Sequence, residues 1–85
     1  MSDKRRKTPS FKVGDDYYCY EQDVEIWQLA TTLPLEKQGA DLFLELIGDA
    51  KEYCRSLTIA ELKTDGVKNV LAKVKELYML KTSTL

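Results

Sequence analysis

Tyr17, Tyr20, Val24 and Trp27 recur at steps of three, four and three, the spacing of one face of an α-helix. They belong to the run YYCYEQDVEIWQLA, Tyr17 to Ala30, which holds the single tryptophan and three of the five tyrosines. Ile26 and Ala30 flank the stripe, while Glu21, Asp23, Glu25 and Gln28 fall on the other side. Each aromatic side chain offers about 150–250 Å² for burial, so this helix is expected to form the floor on which the others pack. A chain of 85 residues makes one domain at most and buries only about 60–65% of its unfolded surface. Most of the chain beyond Ala30 is needed to cover that floor.

The punctuation of the chain sets the remaining elements. Residues 1–10 are polar and rich in Lys and Arg, with too few apolar groups to offset the entropy of ordering, and are expected to be a disordered basic tail. Phe11 and Val13 alternate with polar residues as a short extended segment that lies back on the helices, and Gly14 with Asp15 makes a turn. Asp15 or Asp16 can cap the first helix. Thr31, Thr32 and Leu33 end it, and Pro34 opens the second, expected to run to Leu46 with Leu35, Gln38 or Gly39, Leu42, Phe43 and Leu46 inward and Leu44 with Ile47 widening the stripe. Gly48 closes that helix and Asp49 re-caps a third from Ala50 to Leu57, whose inner face is Ala50, Tyr53, Cys54 and Leu57. Thr58 and Glu61 have the spacing of a capping box, which predicts one more turn with Ile59 and Leu62 tucked inward. After the break Thr64-Asp65-Gly66 a last helix is expected from Val67 to Leu80, built on Val67, Val70, Leu71, Val74, Leu77 and Tyr78. The expected fold is all-α: a compact bundle of four main helices plus a short helical turn, with a short extended N-terminal segment. The helical domain spans 11–80, and 81–85 is a frayed end or the start of a linker.

Chemistry is sparse. There is no histidine, and Cys19 and Cys54 are the two cysteines, 35 positions apart, which leaves no zinc finger, no zinc knuckle and no Cys/His nucleophile pair. Two reduced thiols acting as small apolar residues fit better than a disulfide. The acids fall on outer helix faces or at helix N-termini, and the four glycines follow no phosphate-loop spacing. Asp15 and Asp16 are explained by capping rather than by a metal. No catalysis, no cofactor and no metal are therefore expected. No apolar run approaches the roughly 20 residues of a membrane span, and the opening residues lack the apolar centre of a signal peptide. A cytoplasmic or nuclear protein that makes no membrane contact is expected.

Charge is divided unevenly. Lys4, Arg5, Arg6, Lys7 and Lys12 against Asp3 give the first 12 residues a net +4, so the other 73 carry −5 within a total of −1. Lys4, Arg5, Arg6 and Lys7 suit phosphate contacts, or a nuclear address, but such a run is more often merely a solvated terminus. The acidic body offers no basic recognition helix. Protein–protein association remains, through the broadly apolar second helix and exposed tyrosines such as Tyr18.

The order of residues carries a further signal. Phe11-x-x-Gly14, Tyr17/Tyr18, Trp27, Thr31-Thr32-Leu33-Pro34-x-x-Lys37-Gln38, Leu42-x-Leu44-x-Leu46-x-Gly48-x-Ala50, Asp65-Gly66-Val67 and Leu71-x-x-Val74-x-x-Leu77-Tyr78 together resemble the N-terminal half of the capsid region in Gag proteins of metazoan LTR retrotransposons, over about Phe11 to Leu80. The resemblance implies a helical capsid N-terminal lobe, similar to that of retroviral capsids and of domesticated descendants such as the neuronal protein Arc. In that family the lobe forms rings, a second lobe links them and a separate zinc-knuckle region packages RNA. This chain stops where a second lobe would begin and has no knuckle, so it is expected to be a piece of a longer Gag or a short domesticated relative.

By that resemblance, ring contacts with further copies of the chain would use Tyr18, Glu25, Glu36, Gln38 and Asp41 on the outer faces of the first two helices. Phe11 and Val13 would fill, from within the chain, a groove that in Arc-like lobes accepts an extended peptide. RNA would be met only indirectly or through the basic tail. Three readings stay open: a self-assembling structural capsid domain, a monomeric adaptor for short peptides of the same ancestry, and a small DNA-binding helical module that uses the basic arm.

Overall fold

The computed structural model describes residues 7–82, and among them it holds five helices: α1 Tyr17–Ala30, α2 Leu35–Leu44, α3 Asp49–Cys54, α4 Ile59–Lys63 and α5 Gly66–Thr82. The protein is all-α, and the one extended feature among the described residues is a single parallel bridge between Phe11 and Leu46. Of the tail expected over 1–10, positions 1–6 lie outside the described residues, while Thr8 is half-buried and bonded to Asp41. Of the end expected over 81–85, positions 81 and 82 belong to α5 and 83–85 lie outside the described residues.

Most helix boundaries follow from local hydrogen bonds. The Asp16 carboxylate accepts the Tyr18 amide at 2.8 Å and starts α1. Pro34 precedes α2 with φ −58°, already suited to a first turn. The capping box of α4 is complete: the Thr58 hydroxyl accepts the Glu61 amide at 3.1 Å, and the Glu61 carboxylate accepts the Thr58 amide at 2.8 Å. α3 differs from expectation. Gly48, at φ 58°, takes the cap position with no side-chain bond, and Asp49 is the first helical residue, where its charge suits the helix dipole without closing a cap.

α2 stops at Leu44 rather than Leu46. The Leu46 amide donates to the Phe43 carbonyl at 3.1 Å, and the Ile47 amide leaves the helical ladder to donate to the Phe11 carbonyl at 3.0 Å. A tertiary partner thus ends the helix two residues early. α5 in turn continues to Thr82, whose hydroxyl donates to the Tyr78 carbonyl at 2.8 Å.

One core cluster joins Tyr17, Tyr20, Val24 and Trp27 of α1 to Leu42, Leu46, Ala50, Cys54, Val67, Val70, Val74, Leu77 and the arm residue Phe11. Phe43, Tyr53, Leu57, Leu71 and Tyr78 pack half-buried at its edge. The element that meets all four others is α5 rather than α1. The bulky side chains of α1 keep its backbone at a distance, whereas two glycines let α2 and α5 approach closely. A Cβ on Gly39 would stand 2.6 Å from the Gly66 Cα and 2.5 Å from the Leu62 carbonyl oxygen.

Several residues expected inside are outside. Ile26, Ala30, Leu35, Leu44, Ile47 and Ile59 are exposed, Ile59 at 81%. α4 buries none of its residues, because a helix this short can turn only one edge, here the half-buried Leu62, to the bundle. Cys54 is fully buried and Cys19 exposed, both as free thiols.

Candidate functional site

The most constructed feature outside the helices is the seat of the N-terminal arm. Phe11 is 1% exposed, its ring 5.1 Å from that of Tyr20, and its carbonyl accepts the Ile47 amide. Three residues earlier, the half-buried Thr8 donates its hydroxyl hydrogen to the Asp41 carboxylate on α2. A cavity of about 470 Å³ opens beside this segment, between Thr8 and Pro9 on one wall and Asp23, Ile26 and Trp27 of α1 on the other. The arm is therefore fastened at both ends of a four-residue stretch.

Beyond Phe11 the chain turns away. The Asp15 amide donates to the Lys12 carbonyl at 3.0 Å, the Lys12 amide donates back to the Asp15 carboxylate at 3.1 Å, and Gly14 takes φ 106°. The Lys12 ammonium, 2.9 Å from the same carboxylate, holds it below the usual range by hydrogen bonding and charge. The expectation that Val13 fills the groove with Phe11 is thus corrected. This turn carries Val13 out to 38% exposure, and Phe11 fills the groove alone.

The residues expected to contact other copies fall into three conditions. Glu25 and Glu36 are exposed on the outsides of α1 and α2. Tyr18 is half-exposed, with its ring edge-on to Tyr17 and Tyr78 and the Lys75 ammonium 5.9 Å from its face. Asp41 is half-buried and holds Thr8. Gln38 takes the inner place on α2 that its spacing allowed, and its expected outer contact is corrected: at 6% exposure it cannot serve one. Its amide donates to the Leu33 carbonyl at 2.9 Å, and its side-chain oxygen accepts Gln28 of α1 at 2.9 Å. A buried amide satisfied on both sides is a clasp for the α1–α2 connection. Lys4, Arg5 and Arg6 lie outside the described residues, and Lys7 is exposed at the start of the arm.

Burial keeps the interior groups neutral. The Tyr20 hydroxyl is pushed above its ordinary range by burial and finds no hydrogen-bond partner among the described residues, and burial lifts the Cys54 thiol to about 11. A thiol held protonated at neutral pH is a poor nucleophile. Among the described residues no three Cys, Asp or Glu side chains gather in a way that would hold a metal ion. Among them, too, no helix is long and apolar enough to cross a membrane. Comparison with protein-family models, with curated proteins and with solved structures finds no match to this chain.

Two features have no signal in the sequence. Leu29 lies 89% exposed at the end of α1, one position outside the stripe that the spacing singles out. Thr8 belongs to a segment that reads by its composition, and composition carries no sign of a hydroxyl that meets a carboxylate 33 positions away.

Proposed function

We propose that this chain is a structural domain of the Gag capsid type that associates with copies of itself, catalyses no reaction and works in the cytoplasm or nucleus. One observation carries the association: Ile26, Leu29, Leu35 and Leu44 all lie more than half exposed on the outer sides of α1 and α2. Apolar side chains so placed gain by being covered, at about 25 cal/mol per Å² removed from water. The order of core and turn residues along the chain supports the capsid assignment by resemblance. Sedimentation velocity over rising protein concentration tests the reading. The weight-average mass is expected to climb, and Leu29→Ser with Leu35→Ser to suppress the climb while far-UV dichroism is retained. A wild-type chain that sediments as a monomer at millimolar concentration overturns it.

A second reading, a monomeric adaptor for short peptides, is favoured by the seat of Phe11, which already receives an extended segment through one backbone hydrogen bond and one aromatic side chain. The Phe11→Ala chain, titrated with an acetylated peptide of residues 7–13, is expected to bind that peptide where the wild-type chain does not. Equal, negligible binding by both removes this reading.

A further inference from the structure

We propose that Thr8 is a phosphorylation site and that its modification expels the N-terminal arm from its seat. The proposal stands on the geometry of the arm and is independent of either reading above.

The arm is held by few ties. Among the described residues, those within the stretch from Thr8 to Phe11 are the Phe11 ring, the half-buried Pro9, the bond from the Ile47 amide to the Phe11 carbonyl, and the Thr8 hydroxyl on the Asp41 carboxylate. In the last of these the hydroxyl is the donor, since an ionised carboxylate only accepts. A phosphate ester at that oxygen has lost the proton it donated and adds about −1.5 to −2 charges beside Asp41, so an attraction becomes a repulsion. The cavity beside Thr8 is lined by one further acid, Asp23 of α1, and one base, Lys7 of the arm, so its other charges offset and the repulsion rests on Asp41, which the Thr8 oxygen already touches. The site is half-buried, which weakens screening by solvent and salt.

The residues around Thr8 suit a kinase. Pro9 follows it directly, and a proline offers no backbone N–H, so a substrate pocket that leaves such a donor unpaired selects it. A proline-directed serine/threonine kinase is the enzyme class that this matches. The arm forms no helix, and Lys7 and Ser10 on either side are exposed, so a local opening presents an extended segment to that enzyme. In the transfer, the Thr8 oxygen attacks the γ-phosphorus of ATP. The new O–P bond forms as the bond from that phosphorus to the β,γ-bridging oxygen breaks, ADP leaves with the electron pair, and the hydroxyl proton passes to the general base of the kinase.

The Ile47 amide reports on the outcome because its partner is the Phe11 carbonyl. The full chain is treated with a proline-directed kinase and Mg-ATP, the site of phosphate is read by mass spectrometry, and amide hydrogen exchange is followed by NMR. One phosphate at Thr8 is expected, with exchange at Ile47 at least about tenfold faster and protection at Val24 and Val74 of the core unchanged. In the Asp41→Asn chain the same phosphate is expected to accelerate Ile47 by less than about threefold, because the opposing charge is gone. A chain carrying phosphoserine at position 10, made by ligation, is the control for bulk charge and is expected to leave Ile47 within about twofold of the unmodified protein. Four results would each overturn the proposal. The kinase leaves Thr8 unmodified, or Ile47 exchange is unchanged or slowed, as when Lys7, which lines the same cavity, captures the phosphate and tightens the arm. Asp41→Asn makes no difference, or phosphate on Ser10 opens the arm as well as phosphate on Thr8.

Discussion

α4 and the N-terminal arm make a pair of opposites. α4 has a complete capping box, forms a regular turn of helix and buries none of its residues, with Ile59 at 81% exposure. The arm from Lys7 to Gly14 forms no helix, yet it delivers Phe11 into the core at 1% exposure. Local hydrogen bonds therefore decide the shape of a segment, and the area it removes from water decides what it contributes to stability. The regular segment is held by its neighbours, while the irregular one helps to hold them.

The largest test removes the close approach that keeps α4 in place. Gly39→Ala puts a methyl group within 2.5 Å of the Leu62 carbonyl of α4 and 2.6 Å of Gly66, both backbone atoms that cannot swing aside. Urea unfolding is expected to show a loss of about 3 kcal/mol or more, and a loss below about 1 kcal/mol would mean that α4 and α5 shift freely. Phe11→Ala comes next, at about 2–4 kcal/mol, since it removes a buried aromatic side chain but from an arm that can relax outward. A loss near zero would place the arm among the passengers and dissolve the contrast with α4. Thr58→Ala breaks one half of the capping box and is expected to cost about 1 kcal/mol or less, because the helix it caps is lightly committed to the fold.

The smallest effect at ordinary pH becomes visible only in alkali. Burial raises the Cys54 thiol from 9.0 to about 11 and Tyr17 from 10.0 to about 12, and it raises Tyr20 as well. Each group prefers its protonated form in the folded chain, so the unfolded chain loses its protons first. Stability is then complete below the ordinary thiol value and falls as pH rises through the folded values. Thermal unfolding is expected to be flat from about pH 7 to 8.5 and to drop steadily above about pH 9.5. A midpoint that stays level to about pH 11 would show that these side chains are open to water.

The α1 stripe is legible in the sequence because three of its four members are large aromatics at one period, and a face so costly to leave wet has one outcome. The caps at Asp16 and at Thr58 with Glu61 are legible because their partners lie within three residues. The arm is half legible: the apolar Phe11 announces its burial, but Val13 at the same alternation is turned outward by the Lys12–Asp15 clasp. Gln38 is legible as a candidate for the inner face of α2, but the clasp it forms is not, because a polar residue facing inward needs partners, and both of its partners, Leu33 and Gln28, belong to another element or its connection. Thr8 with Asp41, and Gly39 with Gly66, are hidden for the same reason.

Where helices begin, and which side of α1 faces the interior, is a matter of spacing and short-range bonding, and the sequence alone determined it. Which helix meets all the others, which of the remaining apolar residues stay wet, and where the arm is pinned were settled only when distant residues met. Packing compares whole surfaces that compete for the same cover, and a one-dimensional pattern holds no record of who wins.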